Sequence, residues 1–255
     1  MTVIYGINPV LEALRAGRAR RLRVGSRRDR RLNDVVTLAA RLGVAIDHVD
    51  RAVLDRAARG GGHQGVVADI ETPPEYALAD LVSRAPGPTL IVVLDGIEDP
   101  QNAGAVLRTA DAAGATGLVR QSRHAAALDG VVAKASAGAL AHLPIATVVN
   151  VARAVEELKA SGVWTVGLAA EAPERYDQVD LTLPTALVVG AEGTGLRRLV
   201  RERCDRLVAI PMLGAVESLN ASVATGVVLY EAARQRGFPG WRPGGPLGPQ
   251  GRVAS

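Results

Sequence analysis

Cysteine, aromatic residues, lysine and long apolar runs are scarce in this chain, and each shortage narrows what it can be. One cysteine, Cys204, in 255 residues rules out an internal disulfide framework. No CxxC or Cys/His spacing offers structural zinc, so no metal and a reducing, cytoplasmic setting are expected. Aromatic residues are 3% of the chain, which leaves few platforms for stacked bases and argues against single-strand readers of the RRM or OB kind. No apolar run reaches the roughly 20 residues that cross a bilayer. The opening MTVIYGINPVLEALRAG has no basic segment leading into an apolar signal core, so neither membrane insertion nor secretion is expected.

What is present is a chain with 48% hydrophobic residues, enough for one generous core or for two smaller ones. Net charge is +4, a mild bias towards polyanions. Its distribution says more. Arg15, Arg18, Arg20, Arg21, Arg23, Arg27, Arg28, Arg30 and Arg31 crowd one stretch with only Asp29 among them, a density suited to phosphate contacts. The same run also reads as a solvated face in an arginine-biased chain, since lysine occurs only at 134 and 159.

Helix and strand patterns alternate throughout. In the first part a helix opens at Asn8-Pro9 and ends at Gly17, and a second begins at Asn33 or Asp34 and stops at Gly43. A short helix near 52–58 and strands at 22–24, 44–49 and 65–70 complete an α/β module over 1–72. Prolines 73, 74, 86 and 88 bracket a linker over 73–89 that holds a short helix-like segment. A second domain over 90–238 opens on an apolar strand at 89–94. Further strands are expected at 117–119, 164–168, 186–189 and 207–210, and helices at 103–113, 130–139, 152–160, 196–203 and 220–236. Short apolar strands separated by helices imply a parallel sheet covered on both faces. The Pro- and Gly-rich tail over 239–255 is expected to be disordered.

Three loops of the second domain carry small polar residues after an apolar strand. In LDGIEDPQNAGAVLRTADAAGATGLV, Asn102 and Arg108 lie on a helix beyond a strand end, where open α/β sheets place ligands. Val106, Ala110 and Ala113 share one helix face; Gly104, Arg108 and Asp111 share another, taken as exposed. Either Asn102 caps the helix and Arg108 pairs with Asp111, or both face a substrate. In ALVVGAEGTGL the glycines are spaced GxxGxG, not the GxGxxG of a dinucleotide fold, and GxxxxGK[ST] is absent from the chain. They make a tight turn that lets backbone amides approach a ligand and holds Glu192 in the bend, or else an ordinary turn with a solvated glutamate. In AIPMLGAVESLNASVATGVVLYEAAR, Ser218 or Asn220 stands where a long helix begins, either as its cap or beside a ligand.

Taken in order, these stretches resemble the three motifs of the SpoU family of SPOUT RNA methyltransferases: Asn102 and Arg108 in the first, GAEGTGL in the second, SLNASVA in the third. The resemblance runs over about 90–236. It implies an α/β fold whose C-terminal parallel-sheet domain carries a deep trefoil knot, a homodimer, and S-adenosyl-L-methionine as cofactor. By the same resemblance Arg108, Asn102, Glu192, Ser218 and Asn220 form the catalytic site, and Gly190, Gly193, Ile210, Met212 and Leu219 hold the cofactor. YGINPVLEAL and HQGVVA resemble the L30e-like substrate domain of bacterial enzymes that methylate a guanosine ribose in 23S ribosomal RNA. Arg15, Arg18, Arg20, Arg21 and His63 are the corresponding RNA-facing candidates. The segment RQSRHAAALDG departs from the pattern, since relatives more often carry a charged stretch ending in serine there. Two other classes remain open at this level. Methylation of tRNA would keep the chemistry, while a non-catalytic RNA-binding protein would need the basic module but not the glycine loops.

Overall fold

A computed structural model describes residues 2–26, 29–71, 74–128 and 130–241. Arg27, Arg28, Pro73 and most of the tail expected to be disordered lie outside them. The first part runs β1 (Thr2–Tyr5), α1 (Ile7–Arg15), β2 (Ala19–Val24), α2 (Arg30–Arg41), β3 (Ala45–His48), α3 (Arg51–Ala57) and β4 (Val66–Ile70). Its sheet has the order β1-β4-β2-β3, antiparallel except for the β2–β3 pair. β1 is not among the expected strands: it is four residues long and pairs with β4 at the far end of the module, so no local pattern announces it. α1 starts one residue before Asn8, and its first amide, Ile7 N, donates to Gln64 Oε1 at 3.0 Å. α2 starts at Arg30 rather than 33 or 34, because Asp29 caps it by accepting from Arg31 N.

The linker holds α4 (Leu78–Ser83). After it come β5 (Leu90–Asp95), α5 (Pro100–Ala112), β6 (Gly117–Gln121), α6 (Gly130–Ala135), β7 (Ile145–Val148), α7 (Val151–Ala160), β8 (Trp164–Leu168), β9 (Glu174–Arg175), β10 (Thr185–Gly190), α8 (Arg198–Arg203), β11 (Arg206–Ala209) and α9 (Ala221–Gln235). The seven strands form the expected parallel sheet, in the order β7-β6-β5-β10-β8-β11-β9. β7 and β9 are additions to the expected set, being very short and at the two edges. The helix expected over 130–139 stops at Ala135, since Ala137 and Gly138 turn to positive φ and a 3-10 turn follows at Ala139–Ala141.

Every residue of β5 and β10 is buried, as a central parallel strand requires. Alternation divides their side chains. Leu90, Val92, Leu94, Leu187 and Val189 join Val106, Leu107 and Ala110 of α5 and Val228, Leu229 and Ala232 of α9 in one core. Ile91, Val93, Ala186 and Val188 join Leu81 of α4, Val151, Val155 and Leu158 of α7 and Val200 of α8 on the other face. The helix that bears Arg108 and the helix capped by Asn220 are therefore neighbours on one face, held by apolar burial of about 25 cal/mol per Å².

The first module rests directly on α6. Gly130 leaves space for the Tyr5 ring, and a Cβ there would sit 2.4 Å from its Cε1. Gly138 does the same for Glu12. Glu12 Oε2 meets His142 Nε2 at 2.9 Å, and the half-buried Arg18 donates to the carbonyls of Leu140 and Glu71 at 3.2 Å each.

Candidate functional site

Three strand ends build the site. β5 ends at Asp95, and α5 begins at Pro100, capped by Asp99, whose carboxylate accepts from Gln101 N at 2.8 Å. Proline at the first position and this cap start the helix earlier than the expected 103, which sets Asn102 in its first turn. β10 ends at Gly190, where a tight turn brings Gly195 back onto the strand, with Gly195 N donating to Ala191 O at 2.8 Å. A Cβ on Gly190 would lie 2.1 Å from the carbonyl carbon of Gly195, so no other residue permits this return. β11 ends at Ala209, and residues 210–219 run as an irregular loop to α9, which Asn220 caps.

The three ends meet through their side chains. Asn102 Nδ2 donates to Glu192 Oε2 at 3.1 Å, and Asn220 Nδ2 donates both to Asn102 Oδ1 at 2.9 Å and to Glu192 Oε2 at 3.1 Å. Asn220 Oδ1 accepts from Ser222 N at 3.0 Å and from Ser222 Oγ at 2.6 Å, which fixes its side chain. Glu192 is thus a cross-link between loops and not a solvated turn residue. Its carboxylate receives two amide donors and orients both asparagines.

Several expectations change here. Asn102 does not cap α5; Asp99 does. Arg108 is exposed on α5. Gly104 does not lie on an open face beside Arg108: it is buried against α6, where a Cβ would come 2.3 Å from Ala135 Cβ. Its role is close helix packing. Ser218 is exposed and outside the contact, while Ser222, which lies with it in the third motif stretch, supports the contact by donating to Asn220 Oδ1.

The cofactor candidates sit at the same strand ends. Gly190 is buried, Ile210, Met212 and Leu219 are half-buried, and Gly193 is exposed at φ 81°. Among the described residues, no partner accepts a backbone N–H of residues 212–219, so this loop offers free main-chain donors beside an apolar lining.

A family model described as the SpoU rRNA Methylase family matches residues 89–230, and one described as RNA 2'-O ribose methyltransferase substrate binding matches residues 3–76. The chain belongs to the SpoU family. It is an RNA methyltransferase with a substrate-binding module ahead of the methylase domain. The 23S rRNA (guanosine-2'-O-)-methyltransferase RlmB of Pseudomonas syringae pv. tomato is 46% identical over 240 residues, 91% of this chain and 95% of the relative. Among solved structures, the SpoU methyltransferase AviRb from Streptomyces viridochromogenes, in complex with AdoMet, superimposes with TM-score 0.76 at 30% identity, covering 92% of this chain and 90% of that one. An AdoMet-bound rRNA methyltransferase from Sinorhizobium meliloti gives TM-score 0.75 at 28% identity, with 91% and 87% covered.

In this SpoU protein the arginines near the N-terminus are mostly engaged within the module. Arg15 pairs with Glu12, Arg20 with Glu71 and Arg21 with Asp47, all exposed, whereas Arg18 ties the two halves together. His63 is largely buried, with Nδ1 accepting from Gly65 N at 3.0 Å and Nε2 at 3.1 Å from Asp55. A further network lies beyond what the motifs suggest. The buried Asp95 accepts from Arg197 N at 2.8 Å and Nε at 2.6 Å, and Arg197 Nη2 donates to Gln121 Oε1 at 2.8 Å. Aspartate at the end of an apolar strand is its one signal in the sequence. Cys204 is half-buried and its thiol is pushed up to about 12, chiefly by desolvation and secondarily by Asp205. Among the described residues no group of His, Cys, Asp and Glu could hold a metal, and no helix is long and apolar enough to cross a membrane.

Proposed function

We propose that this enzyme transfers a methyl group from S-adenosyl-L-methionine to the ribose 2′-hydroxyl of a guanosine in 23S ribosomal RNA, as a cytoplasmic homodimer. The observation that carries the reading is the joining of Asn102, Glu192 and Asn220, which turns three motifs distant in sequence into one site. The 23S guanosine is supported by RlmB relatives at 46% identity and by the substrate-binding match over residues 3–76. The residues present suit the cofactor. Gly190 clears the strand end, and the free amides of 212–219 together with Ile210 and Leu219 offer polar and apolar contacts for an adenosine and an amino-acid portion. When bound, the sulfonium supplies the methyl group and its own leaving group.

A ribose hydroxyl is a weak nucleophile, so the chain must orient it and offset the negative charge that develops as its proton leaves. Arg108, exposed on α5 six residues on from Asn102, is the cation that does this by engaging the hydroxyl or its phosphate. A guanidinium is a planar, delocalised cation with five donors and no acceptor, so charge stabilisation fits this side chain better than proton removal. Asn102, Glu192 and Asn220 hold the loops on which this geometry depends. Ser218 and Gly193 stand exposed where the RNA would approach.

The trefoil knot belongs to the same reading. The end of α9 is laced to residues 179–183: Gln235 Oε1 accepts from Leu181 N at 2.8 Å, and Arg236 donates to the carbonyls of Leu181 and Leu183 at 2.8 Å each. Dimerisation is supported by apolar side chains left open on α9 and the loop before it, Val223, Tyr230, Leu213 and Val216.

The test is methyl transfer from labelled S-adenosylmethionine to unmodified 23S and tRNA transcripts, with the label mapped to base or ribose. Label on a 23S guanosine ribose, reduced at least ~100-fold in Arg108→Ala, is expected. Label on tRNA alone would overturn the substrate, and RNA binding without transfer would overturn the activity.

A further inference from the structure

A cleft separate from the Asn102–Glu192–Asn220 contact opens at the carboxyl ends of β6 and β7. It encloses about 390 Å³, and its walls include Gln121, Val149, Asn150, Arg197, Arg198 and Leu199. The sheet order puts β6 and β7 on one side of β5, and β10, β8 and β11 on the other. The cleft is therefore across β5 from the two loops assigned to the cofactor.

One loop serves both places. Leaving β10, the chain first carries Glu192 to the two asparagines, and five residues later carries Arg197 to Asp95 and Gln121. Gln121 in turn donates from Nε2 to Val149 O at 3.3 Å. The floor of the cleft is thereby pinned to the fully buried Asp95 carboxylate, and its position relative to Glu192 is set by a short run of backbone.

Its chemistry identifies an occupant. Val149 and Leu199 are 80% and 51% exposed although they are aliphatic, and both line the cleft. Beside them stand the guanidinium groups of Arg197 and Arg198, and the amides of Gln121 and Asn150. Among the described residues Arg198 pairs with the exposed i,i+4 partner Glu202, an ion pair too weak to withhold it from a phosphate. Among those residues Gln121 is held on both sides of its amide, whereas Asn150 uses only its Oδ1, to cap α7. Aliphatic walls, the Asn150 Nδ2 donor for a base edge, and a cation for the phosphate match one nucleotide of an RNA strand.

Resting on the methyltransferase reading above, we propose that this cleft is an RNA subsite that receives a nucleotide flanking the methylated one, its base against Val149 and Leu199 and its phosphate on Arg198. The strand would cross the end of β5 from one site to the other, so that the loop 190–197 senses both. Two variants test this: Arg198→Ala, and the double Val149→Ser/Leu199→Ser, whose side chains are exposed enough to leave the fold intact. Each is compared with wild type for equilibrium binding of a 23S transcript at several salt concentrations, for KM and kcat of methyl transfer, and for Kd of S-adenosylmethionine.

RNA affinity is expected to fall about tenfold in each, with Kd for S-adenosylmethionine and kcat unchanged, and the salt dependence to drop by about one ion in Arg198→Ala alone. Unchanged RNA affinity in either variant overturns the subsite. So does a change of oligomeric state at constant RNA affinity, which would assign the cleft to a protein contact. If wild type binds the transcript but transfers no methyl group, the proposed activity fails, and the binding comparison still decides the cleft.

Discussion

Asn220→Ser separates the two roles of one side chain. Asn220 Oδ1 caps α9, while its Nδ2 donates to Glu192 and Asn102 at 3.1 and 2.9 Å. Serine is about as good a cap as asparagine, so stability should change by less than ~0.5 kcal/mol from that source. Its shorter side chain cannot reach the other two motifs. A hydrogen bond to a carboxylate contributes roughly 1.5–3 kcal/mol and a neutral one about 1. Because Glu192 is exposed, water competes and the low end applies, about 2 kcal/mol for the pair. If that free energy positions the loops for transfer, kcat/KM falls about 30-fold. Initial rates of methyl transfer and urea unfolding on the same preparation give both quantities. Wild-type activity in a stably folded Asn220→Ser would refute the argument that this contact organises the site. Equal losses of stability and activity would show that capping alone matters.

Arg197→Met leaves the buried Asp95 carboxylate without its cation, and removal of one partner of a buried pair costs about 3–5 kcal/mol; urea unfolding should show a loss near the lower value, since the Arg197 side chain itself is half exposed. Gly104→Ala forces a methyl group against Ala135, an overpacking cost of about 1–3 kcal/mol, and at ~2–4 °C per kcal/mol the thermal midpoint should drop by several degrees. Cys204, with its thiol pushed up to about 12, should resist iodoacetamide at pH 8 in the folded protein and react at once in denaturant. The sign of the linkage follows: the folded state keeps the thiol proton longer, so this group's contribution to stability is intact below the ordinary thiol value of about 8.5 and is lost as pH rises towards the folded value.

The alternation of apolar strands with helices, the parallel sheet and the three motif loops are readable in the sequence because each is a local signal. Apolar runs of the length of Leu90–Asp95 and Thr185–Gly190 announce buried strands, and glycine spacing announces the turn after Gly190. The strands without such a signal, Thr2–Tyr5, Ile145–Val148 and Glu174–Arg175, are short edge strands whose existence depends on partners distant in the chain. Residue types likewise suggest Asn102, Glu192 and Asn220 but leave each with a bland alternative. Their meeting depends on α5 and α9 packing side by side on one sheet face, a long-range contact that spacing along the chain does not encode. The same holds for charge. The sequence shows a crowd of arginines before residue 31, and only tertiary structure shows that most of those described are answered by Glu12, Asp47, Asp69 and Glu71 from neighbouring elements. It also shows that the arginine bound to the buried Asp95 is Arg197, far from that cluster. Composition and period determined what kind of elements and groups this chain has; which groups face one another was decided by burial of the sheet faces, because that is the term large enough to bring residues separated by about a hundred positions into hydrogen-bonding range.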